Sequence, residues 1–155
     1  MGLFYQGLTH DLSKYSPSEF WNGARYYQGT RSPNTREREL FGYSRTWLHH
    51  KGRNKHHFEY WYDYAAPTPA PIIPFKYMLE MICDRIAASK TYNRGHYTDK
   101  CAIDYFYKEE KNIKMNENLK KFLEEVLIRL SKEGESFLTK KNIYKLYLKY
   151  TKKAH

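Results

Sequence analysis

With 155 residues, 41% hydrophobic and 17% aromatic, the chain can build one domain with a sizeable core, is too short for two ordinary ones, and is not disordered. Its net charge of +10 is uneven, because residues 1–110 hold 15 Lys+Arg against 12 Asp+Glu and residues 111–155 hold 12 against 5. Two cysteines, Cys83 and Cys101, exclude a disulfide framework or zinc–thiolate centre, and with no run near the roughly 18 apolar residues of a membrane span and no signal-peptide layout, a cytoplasmic protein without membrane contact is expected.

Ser16-Pro17-Ser18-Glu19 joins an N-cap serine, a proline at the first helical position and a glutamate three after the cap. This capping box predicts a helix to about Gln28, broken by Gly29-Thr30-Arg31-Ser32-Pro33-Asn34. A second helix is predicted from Thr35 to about His50, with Leu40, Tyr43, Trp47 and His50 on one stripe. His50 then faces inward, with His49 about 100° away. Gly52 and Asn54 end that periodicity, leaving His56 and His57 in a turn before a short aromatic segment, Phe58 to Tyr64.

Four prolines between Pro67 and Pro74 make a semi-rigid connector. Pro74 opens an apolar helix through Tyr92, with Met78, Ile82, Ile86 and Ser89 along one face and Asp84 interrupting the apolar run. Thr98-Asp99 caps a further helix to about Lys111. Leu119, Phe122, Leu123, Val126, Leu127 and Leu130 stripe another, and Ile143, Leu146, Tyr147 and Tyr150 stripe the last. No segment alternates as a strand, so the expected fold is all-α. Residues 1–111 would hold the functional region, and residues 112–155 a basic amphipathic helical extension packed on the same domain. The tail lysines fall mostly on polar helix faces, which favours a solvated surface over a nucleic-acid site.

Six of the seven histidines lie within the first 96 residues, four of them in His49-His50-Lys51-Gly52-Arg53-Asn54-Lys55-His56-His57. With His10-Asp11 upstream and Asp84 downstream, they supply nitrogen and oxygen donors suited to a divalent metal. Neighbouring side chains on a helix diverge by about 100°, so His10 and Asp11 could share one ion, or two adjacent ions, only at a bundle's centre. His49 and His50 from a second helix and Asp84 from a third would complete the shell. Such a metal polarises a phosphoryl oxygen and activates water, a recipe for phosphoester hydrolysis. Iron, manganese, cobalt, nickel or magnesium, as one or two ions, all suit such donors. His56 and His57 are reserve ligands or cleft-lining residues. Arg53, Asn54 and Lys55 form either a phosphate-gripping loop or a solvated turn, and Arg31 carries the same two readings. Tyr26, Tyr27, Trp47, Trp61 and Tyr62 are read as packing residues in preference to base-stacking ones.

His10-Asp11-Leu12-Ser13-Lys14, followed by Ser16-Pro17, resembles the His-Asp-x-x-Lys signature of the HD-domain metal-dependent phosphohydrolases. The resemblance implies a helical bundle holding one to three metal ions. His49 and His50 resemble the histidine pair of its multi-metal members, and Asp84, in Cys83-Asp84-Arg85-Ile86-Ala87-Ala88-Ser89, resembles its late aspartate. Lys14 matches a position near the substrate phosphate. That superfamily places an earlier histidine well before the His-Asp pair, whereas nine residues precede His10 here and none is histidine. Either that ligand is lost, or His56 or His57 replaces it, or the chain starts late.

Over nearly its whole length the chain resembles an uncharacterised family of small bacterial and phage proteins. They bear Gly7-Leu8-Thr9-His10-Asp11-Leu12-Ser13-Lys14, Tyr26-Tyr27-Gln28-Gly29-Thr30-Arg31-Ser32-Pro33 and the His49–His57 stretch; this kinship carries no established activity. The expectation is a metal-dependent phosphohydrolase acting on a nucleotide or other small phosphoester. His10, Asp11, His49, His50 and Asp84 would hold metal, Asp11 and Lys14 would act at the reacting centre, and Lys14, Arg31, Arg53 and Lys55 would bind phosphate. The rivals are a degenerate HD-like protein that binds nucleotide, or nucleic acid through its basic tail, without catalysis, and a module that engages a partner protein.

Overall fold

The computed structural model describes residues 2–29 and 31–152; Thr30, in the helix-breaking segment, lies outside them. The described residues are all-helical, without a strand. The first half comprises α1 (Phe4–Thr9), a 3-10 turn at Leu12–Tyr15, α2 (Pro17–Tyr26), α3 (Pro33–Phe41) and α4 (Arg45–Lys51). After a 3-10 turn at Phe58–Trp61 and the proline-rich connector come α5 (Phe75–Asn93), α6 (Cys101–Glu109), α7 (Glu117–Glu133) and α8 (Lys140–Thr151).

The helix expected from Thr35 to His50 is two helices. Gly42, at φ +78°, lets the chain leave α3 through a left-handed residue that other side chains disfavour. Ser44 then caps α4 by accepting the Trp47 N–H at 2.9 Å. The Glu37 carboxylate takes the Ser44 hydroxyl at 2.5 Å and the Arg45 and Thr46 N–H groups at 3.1 and 3.3 Å. These bonds satisfy amides that open a helix without a partner. The apolar stripe continues across the corner, which is why periodicity alone missed it.

Helices α2, α3 and α4 pack on one another, and α5 to α8 form a second set. The second set holds the hydrophobic core: Met78, Leu79 and Ile82 of α5 meet Phe106, Phe122, Leu123, Leu127 and Ile143, all buried. Tyr147 donates its hydroxyl to the Ile73 carbonyl at 2.9 Å, pinning the connector to α8. In the first half the pattern reverses. Among the described residues no apolar side chain before Ile73 is buried, and the buried residues there are Asp11, Glu19, Glu37, Ser44, Thr46, His50 and His56. Hydrophobic burial, the main force in folding, therefore reaches this half mainly through the partly buried Leu3, Phe58 and Trp61, which pack against that core. No helix among the described residues is long and apolar enough to cross a membrane.

Candidate metal centre

His10 and Asp11 do not lie on a helix. They form the junction between α1 and the 3-10 turn, with Asp11 at φ +55° in the left-handed region, a conformation rare for residues other than glycine, asparagine and aspartate. The junction turns both side chains to one place, with His10 Nε2 3.3 Å from Asp11 Oδ2. This replaces the helical geometry expected from the sequence.

Two donor groups meet there. Asp11, His50, His56 and His57 form one, and His10, Asp11, His56 and Asp84 the other, with the ligand atoms within 4.8 Å of one another in each. Asp11 and His56 belong to both. Asp11 Oδ1 lies 3.3 Å from His50 Nε2 and from His56 Nε2, yet Asp11 Oδ1 and His56 Nε2 are buried without a properly directed hydrogen bond. His50 Nε2 and His57 Nε2 face each other at 3.0 Å. Buried polar atoms that converge without partners are costly. A cation between them would satisfy both, so the donor set fits a metal ion.

The other ring nitrogens show how these histidines are aimed. His50 Nδ1 lies 2.8 Å from Glu19 Oε2, and His10 Nδ1 and His56 Nδ1 lie 3.2 and 3.3 Å from Glu80 Oε1. A carboxylate only accepts, so each Nδ1 carries the hydrogen and each Nε2 turns toward the centre. Carboxylates behind metal-ligating histidines fix ring orientation and basicity in this way. Glu19 also holds His49 Nδ1 at 2.6 Å, so His49, expected on the metal, lies outside both donor groups.

Glu19 and Glu80 are the residues that sequence reasoning missed. Glu19 read as a capping-box residue, but Ser16 makes no side-chain cap bond and Glu19 points instead to the histidines. Glu80 had a legible signal: it stands one helical turn before Asp84 on an otherwise apolar stretch, which puts both carboxylates on one face. Glu19→Gln is expected to weaken metal binding about 10- to 100-fold, measured by competition with a chelator. Unchanged affinity would make Glu19 only a fold anchor.

The electrostatics of the metal-free cluster are divided. Hydrogen bonding to Asp84 raises His10 to about 9 despite burial, with help from Asp11 and Glu80. Burial opposes the charged form of His50, but Asp11 and Glu19 raise its pKa. Burial lowers His57 to about 3, aided by His56 and His50. Burial would raise the Asp11 carboxyl, yet His50 and Lys14 hold it well below the usual range. Carboxylate partners thus push His10 and His50 up, while burial pushes His57 down and also lowers His56 against the pull of Asp11 and Asp84.

A cleft of about 1370 Å³ opens from the cluster, with Asp11, His50, His56, His57 and Asp84 in its wall. Lys14 and Arg31 also line it, but Lys14 Nζ sits 2.5 Å from Asp11 Oδ2, and Arg31 spends both terminal guanidinium nitrogens on Glu39 at 2.5 and 2.9 Å. Arg53 turns back to the His49 carbonyl at 3.3 Å. Lys55 lies 5.8 and 5.9 Å above the Tyr60 and Tyr77 rings. Trp47 packs its ring 4.8 Å from that of His57.

Fold and site define an all-helical protein with histidine–aspartate groups able to hold a metal ion. The chain belongs to DUF5662, a family of unknown function, whose sequence model matches residues 1–129. That span includes the whole cluster and every residue of the cleft wall. No curated protein and no solved structure matches the chain.

Proposed function

We propose that the protein is a metal-dependent phosphohydrolase, HD-like in its helical site, acting on a nucleotide or another small phosphoester. The observation that carries this reading is the pair of donor groups sharing Asp11 and His56 at the head of a large cleft. His50, His57 and Asp11 would hold one divalent ion, and His10, Asp84 and Asp11 a second, with His56 available to either. In this reading His56 or His57 takes the place of the early histidine that the HD resemblance calls for.

A divalent ion bound there would supply Lewis acidity toward a phosphoryl oxygen and a water activated near neutral pH. Glu19 and Glu80 keep the imidazoles aimed, and burial keeps His57 neutral. Lys14, with a largely exposed side chain, can exchange Asp11 for a phosphate oxygen as substrate enters. Protein purified without a histidine tag should carry one or two equivalents of iron, manganese, cobalt, nickel or magnesium by elemental analysis. It should also release phosphate from model mono- or diesters in a way that His10→Ala abolishes. Protein without metal that takes none up would sink the reading.

The Lys14–Asp11 pair and the protonated His10 favour a second reading, because they offset carboxylates of the cluster without an ion. A nucleotide-binding protein without catalysis would then retain nucleotide affinity while releasing no phosphate.

A further inference from the structure

Four cationic side chains line the cleft: Lys14, Arg31, Arg38 and Arg85. Lys14 is held by Asp11 and Arg31 by Glu39. Arg38 and Arg85 have no carboxylate partner among the described residues. Arg85 follows Asp84 on α5, and successive helical positions diverge by about 100°. Its side chain therefore diverges from that of Asp84 while still lining the cleft, and burial opposes its charge while Glu59, Tyr105 of α6, Asp84 and Glu109 favour it. Arg38 of α3 also acts on Glu59 and Tyr105 and lies 5.7 Å above the Trp47 ring.

Glu59 and Glu109 also line the cleft. Neither forms an ion pair with Arg85, and Glu59 Oε2 is itself buried without a hydrogen bond. A half-buried guanidinium without a bonded counter-charge is unfavourable unless a ligand supplies one. Arginine's planar fork matches phosphate in two-point fashion. Cleft volume points the same way: typical small-ligand pockets span roughly 300–1,000 Å³, and this one, at about 1370 Å³, has room beyond a single nucleoside monophosphate.

We propose that Arg85 and Arg38 form a second anion subsite, so that the cleft takes a doubly phosphorylated ligand with one phosphoryl group at the histidine cluster and another at these two guanidinium groups. The inference rests on the cleft being a phosphoester site, and it deepens that reading by naming the substrate class. Aromatic walls beside the subsite, Trp47 and Tyr105, suit a nucleoside linking the two phosphates.

The test is calorimetric binding of adenosine 3′,5′-bisphosphate and adenosine 5′-monophosphate to full-length protein loaded with Mn²⁺, with metal content measured on the same samples. The bisphosphate should bind about tenfold or more tightly, as charge-assisted hydrogen bonds from a guanidinium provide. Arg85→Gln should erase that advantage without changing metal content, and Arg85→Lys should retain part of it. Arg38→Gln, at an exposed position that tolerates substitution, should reduce the advantage several-fold even if Arg85→Gln fails to fold. Equal binding of the two nucleotides by the wild type, or an advantage that survives Arg38→Gln, overturns the subsite. A bisphosphate preference lost on Arg85→Gln in protein that takes up no metal supports the subsite and overturns the hydrolase reading alone.

Discussion

Asp11→Asn is expected to abolish stoichiometric metal uptake and, by the same change, to loosen the first half of the chain while leaving the second half folded. Asp11 is common to both donor groups, so neither survives intact without its charge. Asparagine is the informative substitution because it tolerates the left-handed backbone at φ +55°, which alanine does not. Removing one partner of a buried ionic set typically costs about 3–5 kcal/mol. The first half has little to absorb such a loss, since none of its described apolar side chains is fully buried and Phe4, Tyr5 and Trp21 stand well exposed. Beside the Trp61 ring against Tyr77, its links to α5 include polar ones at the site: Gln6 to Glu80 at 2.8 Å, His10 to Glu80 and Asp84, and His56 to Glu80.

A metal that joins these groups therefore contributes to folding as well as to chemistry. Amide hydrogen exchange should show residues 4–66 losing protection in Asp11→Asn, and in wild-type protein treated with a chelator. Helices α5 to α8 should keep theirs, because Phe106, Phe122 and Leu127 bury their surface independently of the site. Unchanged protection in α2 to α4 after chelation would mean that their own packing holds them.

Metal affinity should rise about tenfold per pH unit from near 7 toward 9 and then level off. The cause is His10, raised to about 9 chiefly by Asp84, which must shed its proton before its Nε2 can ligate a cation. The sign for the metal-free protein is opposite. A histidine whose pKa is higher when folded than unfolded contributes stability that is fully present below about 6.5 and is lost as pH climbs through 9. The gap in Tm between loaded and metal-free protein should consequently widen between pH 7 and 9. Calorimetric titration in buffers of different ionisation enthalpy should register at least one proton released per chain at pH 7. Binding without proton release would place His10 off the metal.

Much of the secondary structure was legible because helix rules act over a few residues. The helix opened by Pro74, expected through Tyr92, is α5, Phe75–Asn93, and the stripe from Leu119 to Leu130 is wholly buried on α7. The failures lie where a side chain serves a distant partner. Glu37 ends one helix's influence by capping the next, and Glu19 leaves its expected cap for two histidines about thirty residues away.

For the candidate site, the sequence by itself determined the donor types. A His-Asp pair, a histidine-rich stretch and one aspartate in an apolar helix specify nitrogen–oxygen chemistry whatever their arrangement. Only the tertiary structure decided which donors converge. It seated His56 and His57 in a donor group, set His49 behind it on Glu19, recruited Glu80 to aim two rings, and left Arg38 and Arg85 without carboxylate partners in the cleft. The physical reason is separation along the chain: His10 meets Glu80 and Asp84 across 70 and 74 residues. Contacts of that range depend on how helices dock, which local propensity and periodicity do not encode.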